Sequence, residues 1–198
     1  MRQVAKFNAR RLLLFGGKTL LVLIVLMLLW PLWITYYNRV VIGITTVVLK
    51  VIEHPPLTSL RVEGDKTLGY VRNINPNSSA FTISREFYAL NYFGIIVLLA
   101  LMLATPMEIK QRLKLTFIAI LFMLFFHVFF LIIYIRLEYI IKGVVPSDEG
   151  EFNFYLWLRL FTAIGKYFFP FLIWALLTWR SWLPVPQPTR RPTKEARP

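Results

Sequence analysis

The chain has 198 residues, 57% hydrophobic and 16% aromatic, with a formal net charge of +13 and no cysteine. That apolar content lies above the roughly 45–50% of soluble domains and excludes an ordinary one. The missing thiol excludes disulfides, thiolate metal sites and cysteine nucleophiles.

Residues 1–18 form a basic N-terminus with Arg2, Lys6, Arg10, Arg11 and Lys18 and no acid. The first span, 19–35, ends near Trp30 and Trp33. It exceeds a signal-peptide core and no small-x-small cleavage site follows, so it reads as an uncleaved span. Over 36–54, Arg39, Gly43, Thr46, Lys50 and Glu53 recur every three or four residues among Val, Ile and Leu. That spacing predicts an amphipathic helix with a narrow polar stripe. Joined to the first span it would be about 50 Å long. Either it projects from the membrane, or it breaks near Tyr36 to Asn38 and lies along the surface. Pro55 and Pro56 stop it.

Residues 55–87 alone look soluble. Leu60 and Val62, then Leu68, Tyr70 and Val71, flank the turn sequence EGDK and predict a hairpin. Residues 73–79 are loop chemistry, and Phe81 begins a third strand. About 30 residues cannot build a core alone, so this module leans on a membrane, a helix or a partner.

The second span, 88–105, is followed by a basic loop, 106–114, with Lys110, Arg112 and Lys114. The third span covers 115–141, an acidic loop 142–153, the fourth span 154–180, and a proline-rich charged tail 181–198. Such a tail is expected to be disordered. The runs are long enough to cross about 30 Å of hydrocarbon, and lipid demands that they be helices. Thirteen of the 23 basic residues fall in the N-terminus, the loop at 106–114 and the tail counted from Arg180. With four spans, the positive-inside rule puts both termini in the cytoplasm; the expected compartment is a prokaryotic inner membrane. The predicted class is an all-α integral membrane protein. Four transmembrane helices carry a small extracytoplasmic β-hairpin module and an amphipathic helix between the first two. Anionic lipid is the expected partner of the basic surfaces, and nucleic acid is not expected.

A few polar residues interrupt the spans. Tyr155, Arg159, Thr162 and Lys166 share one face of the fourth, at spacings of four, three and four. A buried cation costs a few kcal/mol in lipid, so it should face the bundle or water. No acid lies at comparable depth in another span. Arg159 and Lys166 therefore either line a polar cleft that receives an anionic group, or snorkel to the headgroups. His127 is mid-depth in the third span with no second histidine in any span, which argues against a metal site. Hydrogen bonding to a neighbouring helix is its ordinary use. Glu138 and Lys142 are four apart and can pair, leaving Arg136 to point elsewhere. Asn91 and Tyr92 open the second span on the same side. The candidate polar cleft is thus Asn91, Tyr92, His127, Arg136, Tyr155, Arg159 and Lys166. Its alternative is an interfacial belt of Tyr and Arg. No glycine-rich phosphate loop, HExxH or GxSxG occurs.

A strand module, a helix opening with Tyr92-Phe93-Gly94, a basic hairpin and a helix ending in Ile133-Tyr134-Ile135-Arg136 resemble the core of exosortases and archaeosortases. Those are membrane-embedded transpeptidases that process C-terminal sorting tails. The resemblance covers residues 57–136 and rests on Gly94 and Arg136. The family pattern has Cys-Ser-Gly in the first place, Asn-x-x-Arg in the second, and a His from the following helix. This chain has no cysteine, and no His opens its fourth span. Acyl transfer of that type needs a thiolate and a base. The resemblance therefore implies an accessory or binding component in protein sorting or envelope assembly, with a membrane protein or sorting-tail peptide as partner. It implies no catalytic residue, cofactor or metal. Two other readings stand beside it: a lipid-binding structural subunit of a larger membrane complex, and a transporter or membrane enzyme built on Arg159 and Lys166.

Overall fold

A computed structural model describes residues 9–53, 58–63, 66–71 and 81–182. The expectations for Pro55 and Pro56, the loop at 73–79 and the tail beyond 182 lie outside the described residues. Helix α1 spans Ala9–Ile52 in 44 residues, with Pro31 inside it. It is about 66 Å long by helical rise, twice a hydrocarbon layer. No break occurs at Tyr36 to Asn38, so the helix projects. The division between 19–35 and 36–54 is one of surroundings rather than of backbone.

The projecting half has its own partner. Strands β1 (Thr58–Glu63), β2 (Lys66–Val71) and β3 (Phe81–Ile83) form an antiparallel sheet in the order β1-β2-β3. Glu63 pairs with Lys66 in the β1–β2 register, as the hairpin expectation has it. The sheet is pinned to α1 by buried polar contacts. Asn38 Nδ2 donates to Thr67 Oγ1 at 3.3 Å, and the Glu53 carboxylate accepts from the Thr58 amide at 2.8 Å and its hydroxyl at 2.6 Å. A buried carboxylate is tolerable only with such donors. Of the expected polar stripe only Glu53 turns to the sheet: Arg39, Gly43 and Lys50 are exposed, and the buried polar residues along this half of α1 and just past it are Asn38, Thr45 and Glu53.

The second span is two helices. Helix α2 (Arg85–Asn91) starts at Ser84, whose hydroxyl accepts from the Phe87 amide at 3.3 Å. Helix α3 (Gly94–Ala104) follows after Tyr92 and Phe93. Helix α4 (Ile109–Ile141) begins earlier than the third span was drawn, so most of the basic loop is its first turns. It ends in a Schellman motif: Gly143 is left-handed at φ 66°, and the Val144 amide donates to the Tyr139 carbonyl at 2.9 Å. The expected Glu138–Lys142 pair forms at 3.7 Å. Helix α5 (Glu149–Trp182) also starts early, because Asp148 Oδ1 accepts from the Glu151 amide at 2.7 Å. Glu149 and Glu151 then sit in a first turn, where the helix dipole favours anions. Much of the acidic loop is therefore a helix start.

Four helical stretches are long and apolar enough to cross a membrane: Leu13–Ile52, Arg85–Ala104, Ile109–Ile141 and Glu149–Trp179. The protein is an all-α integral membrane protein with one small sheet. Helix α3 is the most enclosed, packed against α1, α4 and α5. Leu28, Phe125, Trp157 and Phe168 are over 70% exposed, as lipid-facing side chains would be. At the basic end, Trp174 Nε1 donates to Thr105 Oγ1 at 2.8 Å and its ring stacks on Phe15 at 5.7 Å.

Candidate functional site

The site grows from the interruption between α2 and α3. A helix broken inside lipid leaves carbonyls without amide partners, and those need donors. Asn91 stands at the interruption and folds back on its own helix, its Nδ2 donating to the Phe87 carbonyl at 2.7 Å. Lys166 supports Asn91 in turn, its Nζ donating to Asn91 Oδ1 at 3.2 Å. The ammonium also lies 5.0 Å from the ring centre of its neighbour Tyr167.

The break exists at this height because Gly94 lets three helices meet. A Cβ there would lie 2.9 Å from the Lys166 carbonyl oxygen, 2.9 Å from Met123 Cε and 3.0 Å from Pro170 Cγ. Only a hydrogen fits. The close approach brings the backbone of α5 against the start of α3 and sets Lys166 level with the break.

Tyr92 turns the other way. Its ring is buried, tilted against His127 at 4.6 Å and edge-on to Tyr37 at 5.7 Å. Tyr37 Oη and His127 Nδ1 share a hydrogen bond of 2.7 Å. His127 Nε2 is buried with no partner among the described residues. The histidine thus bonds a neighbouring helix, as expected, and with one nitrogen only. Among the described residues no three His, Cys, Asp or Glu come together as metal ligands would.

A second cation lies toward the sheet end. The Arg159 guanidinium sits 4.6 Å from the Tyr134 ring centre, a cation–π contact. Tyr134 packs at 4.6 Å on Phe87, which also stacks on Phe130 at 6.2 Å. Phe87, Asn91, Tyr134, Arg159 and Lys166 therefore form one patch spread over α2, α4 and α5. Glu138, one turn beyond Tyr134 on α4, is engaged by Lys142 and by the Tyr134 hydroxyl.

The seven residues expected in one cleft divide. Asn91, Lys166 and, through Phe87 and Tyr134, Arg159 belong to this patch. Tyr92 and His127 belong to a closed aromatic cluster on its far side. Arg136 lies one turn before the end of α4, beside Tyr139. Tyr155 packs edge-on against Phe154 at 5.6 Å, one turn from Arg159. Tyr37 and Tyr134 carry roles that sequence reasoning missed. Tyr134 had a signal, since it stands four residues before Glu138. Tyr37 had none beyond being a phenol in an apolar run.

No protein-family model, curated protein or solved structure matches the chain.

Proposed function

We propose that this chain is a non-catalytic membrane protein that acts by binding, as an accessory component of protein sorting or envelope assembly. One observation carries the reading. The stretch whose sequence resembles the exosortase core comprises a small sheet, a helix opening on Gly94 and Arg136 near the far end of the next long helix, which supports the reading. Yet Tyr92, which stands where that family has its cysteine, is 1% exposed and closed in by His127 and Tyr37. A nucleophile needs an approach path and a base at hand. A buried phenol packed between rings is a structural filling, so what remains useful is the surface around it.

In this reading the basic end, with Lys18, Lys110 and Lys114 exposed, faces the cytoplasm and its anionic lipid. The sheet faces outward from a prokaryotic inner membrane, where a sorting tail or the enzyme that cuts it would be met. The test is deletion of the gene in the organism that encodes it. Envelope proteins with C-terminal sorting tails should accumulate as unprocessed precursors, and the intact chain should restore processing. Complete processing without the protein overturns the proposal.

A further inference from the structure

Two of the cations on α5, Arg159 and Lys166, stand within its apolar stretch. Among the described residues neither Arg159 nor Lys166 makes an ion pair, and Glu138 is taken. Charges left so in an apolar layer normally mark a ligand or a path. Their direction narrows the choice. Helix α5 runs from Glu149 at the sheet end to Trp182 at the basic end. Side chains on a helix lean toward its N-terminus. Both cations therefore lean toward the sheet end, and the Lys166–Asn91 bond agrees with that lean. Seven residues part them, about 10 Å of rise. The heads end closer than that: the ammonium reaches Asn91 and the guanidinium reaches Tyr134, which packs on Phe87 one turn before Asn91, so they lie roughly 6 Å apart along α2.

Their position around the helix narrows it further. Arg159 and Lys166 are partly exposed, and their neighbours Leu160, Tyr167 and Phe168 are exposed apolar side chains on the face that lipid would wet. A ligand reaching both would arrive from within the bilayer. It would rest on an aromatic wall of Phe87 and Tyr134 and bring a compact negative group. We propose that Arg159 and Lys166 form a site for the phosphate of an anionic membrane lipid, on the bilayer side of α5 in the leaflet next to the sheet. The site stands independently of any role in sorting.

The experiment uses the full chain, delipidated in detergent and offered phosphatidylglycerol or phosphatidylcholine, with bound lipid counted by native mass spectrometry. The unaltered protein should retain phosphatidylglycerol preferentially. Arg159→Gln with Lys166→Met should weaken that retention by about thirtyfold, each change alone by about fivefold, as expected for two headgroup-facing cations. Lys110→Gln with Lys114→Gln, at the opposite end, should leave it unchanged. Arg159→Lys keeps the charge and should keep most of the retention, which separates binding from a folding defect; helix content by circular dichroism is read on every variant. Unchanged retention in the folded double variant overturns the site, as does equal retention of phosphatidylcholine. Displacement of the lipid by millimolar inorganic phosphate would make the ligand a soluble phosphate and overturn the lipid assignment. Recovery of a partner with an acid in its membrane helix, bound through these cations with no lipid preference, would overturn it too.

Discussion

Replacing Gly94 by alanine should separate α3 from α5. The added Cβ would stand 2.9 Å from the Lys166 carbonyl oxygen and 3.0 Å from Pro170 Cγ. Ordinary contact for such atoms begins several tenths of an ångström farther out. Met123 Cε, also 2.9 Å away, ends a flexible side chain and can swing aside. A main-chain oxygen and a proline ring cannot, so the whole of α5 must move. Overpacking of that kind costs about 1–3 kcal/mol. Gly43 supplies the control. Nothing lies within 4 Å of its would-be Cβ, and it sits inside α1, so alanine there should gain roughly 1 kcal/mol of helix propensity. The two variants should therefore differ by about 3 kcal/mol, in opposite directions from the parent. Unfolding of the full chain by a titrated denaturing detergent, followed by circular dichroism, measures it. A Gly94→Ala protein as stable as the parent, or one no worse than Gly43→Ala, would refute the three-helix contact. The Lys166–Asn91 bond would lose its structural basis with it.

Glu53→Ala should loosen the sheet from α1, because the Thr58 amide and hydroxyl lose their acceptor at a buried position. Hydrogen exchange in β1 and β2 should quicken while that of α3 and α4 stays unchanged; uniform exchange would contradict a separately pinned module. Tyr37→Phe should cost about 1 kcal/mol, the usual value of a hydrogen bond between membrane helices, and His127→Phe should not add to it fully, since the two share one bond. Full additivity by the same unfolding titration would deny the contact. The absence of cysteine makes single-cysteine labelling clean. Thr82→Cys on the sheet and Lys110→Cys at the start of α4 should react with an impermeant maleimide from opposite sides of sealed vesicles. Labelling from one side would refute the crossing of α2 and α3.

The spans were legible because lipid makes one demand of any segment, a sufficient run of apolar residues, and the runs meet it. The hairpin was legible for a like reason, since EGDK between alternating apolar residues leaves little choice of turn. Helix ends were read too short at 115 and 154. The polar residues that look like loop there, Lys110 and Arg112 in one case and Glu149 and Glu151 in the other, lie in the first turns of helices instead. The failure at the candidate cleft has a sharper cause. Asn91 and Tyr92 are adjacent in sequence and were assigned to one site, but consecutive residues near a helix end project about 100° apart. One therefore meets Lys166 on α5 and the other His127 on α4. Depth along the chain predicts which residues share a level in the membrane. Which of them share a face depends on how α2 stops and α3 restarts, and that is decided by Gly94 through contacts with Met123, Lys166 and Pro170, far off in sequence. The same distinction governs Lys166. By position it is a lysine stranded midway along a span; by direction it leans toward the sheet end and meets Asn91, the last residue of α2. Whether a charge in a membrane is a burden or a receptor turns on that lean, and the lean is set by the sense in which α5 runs.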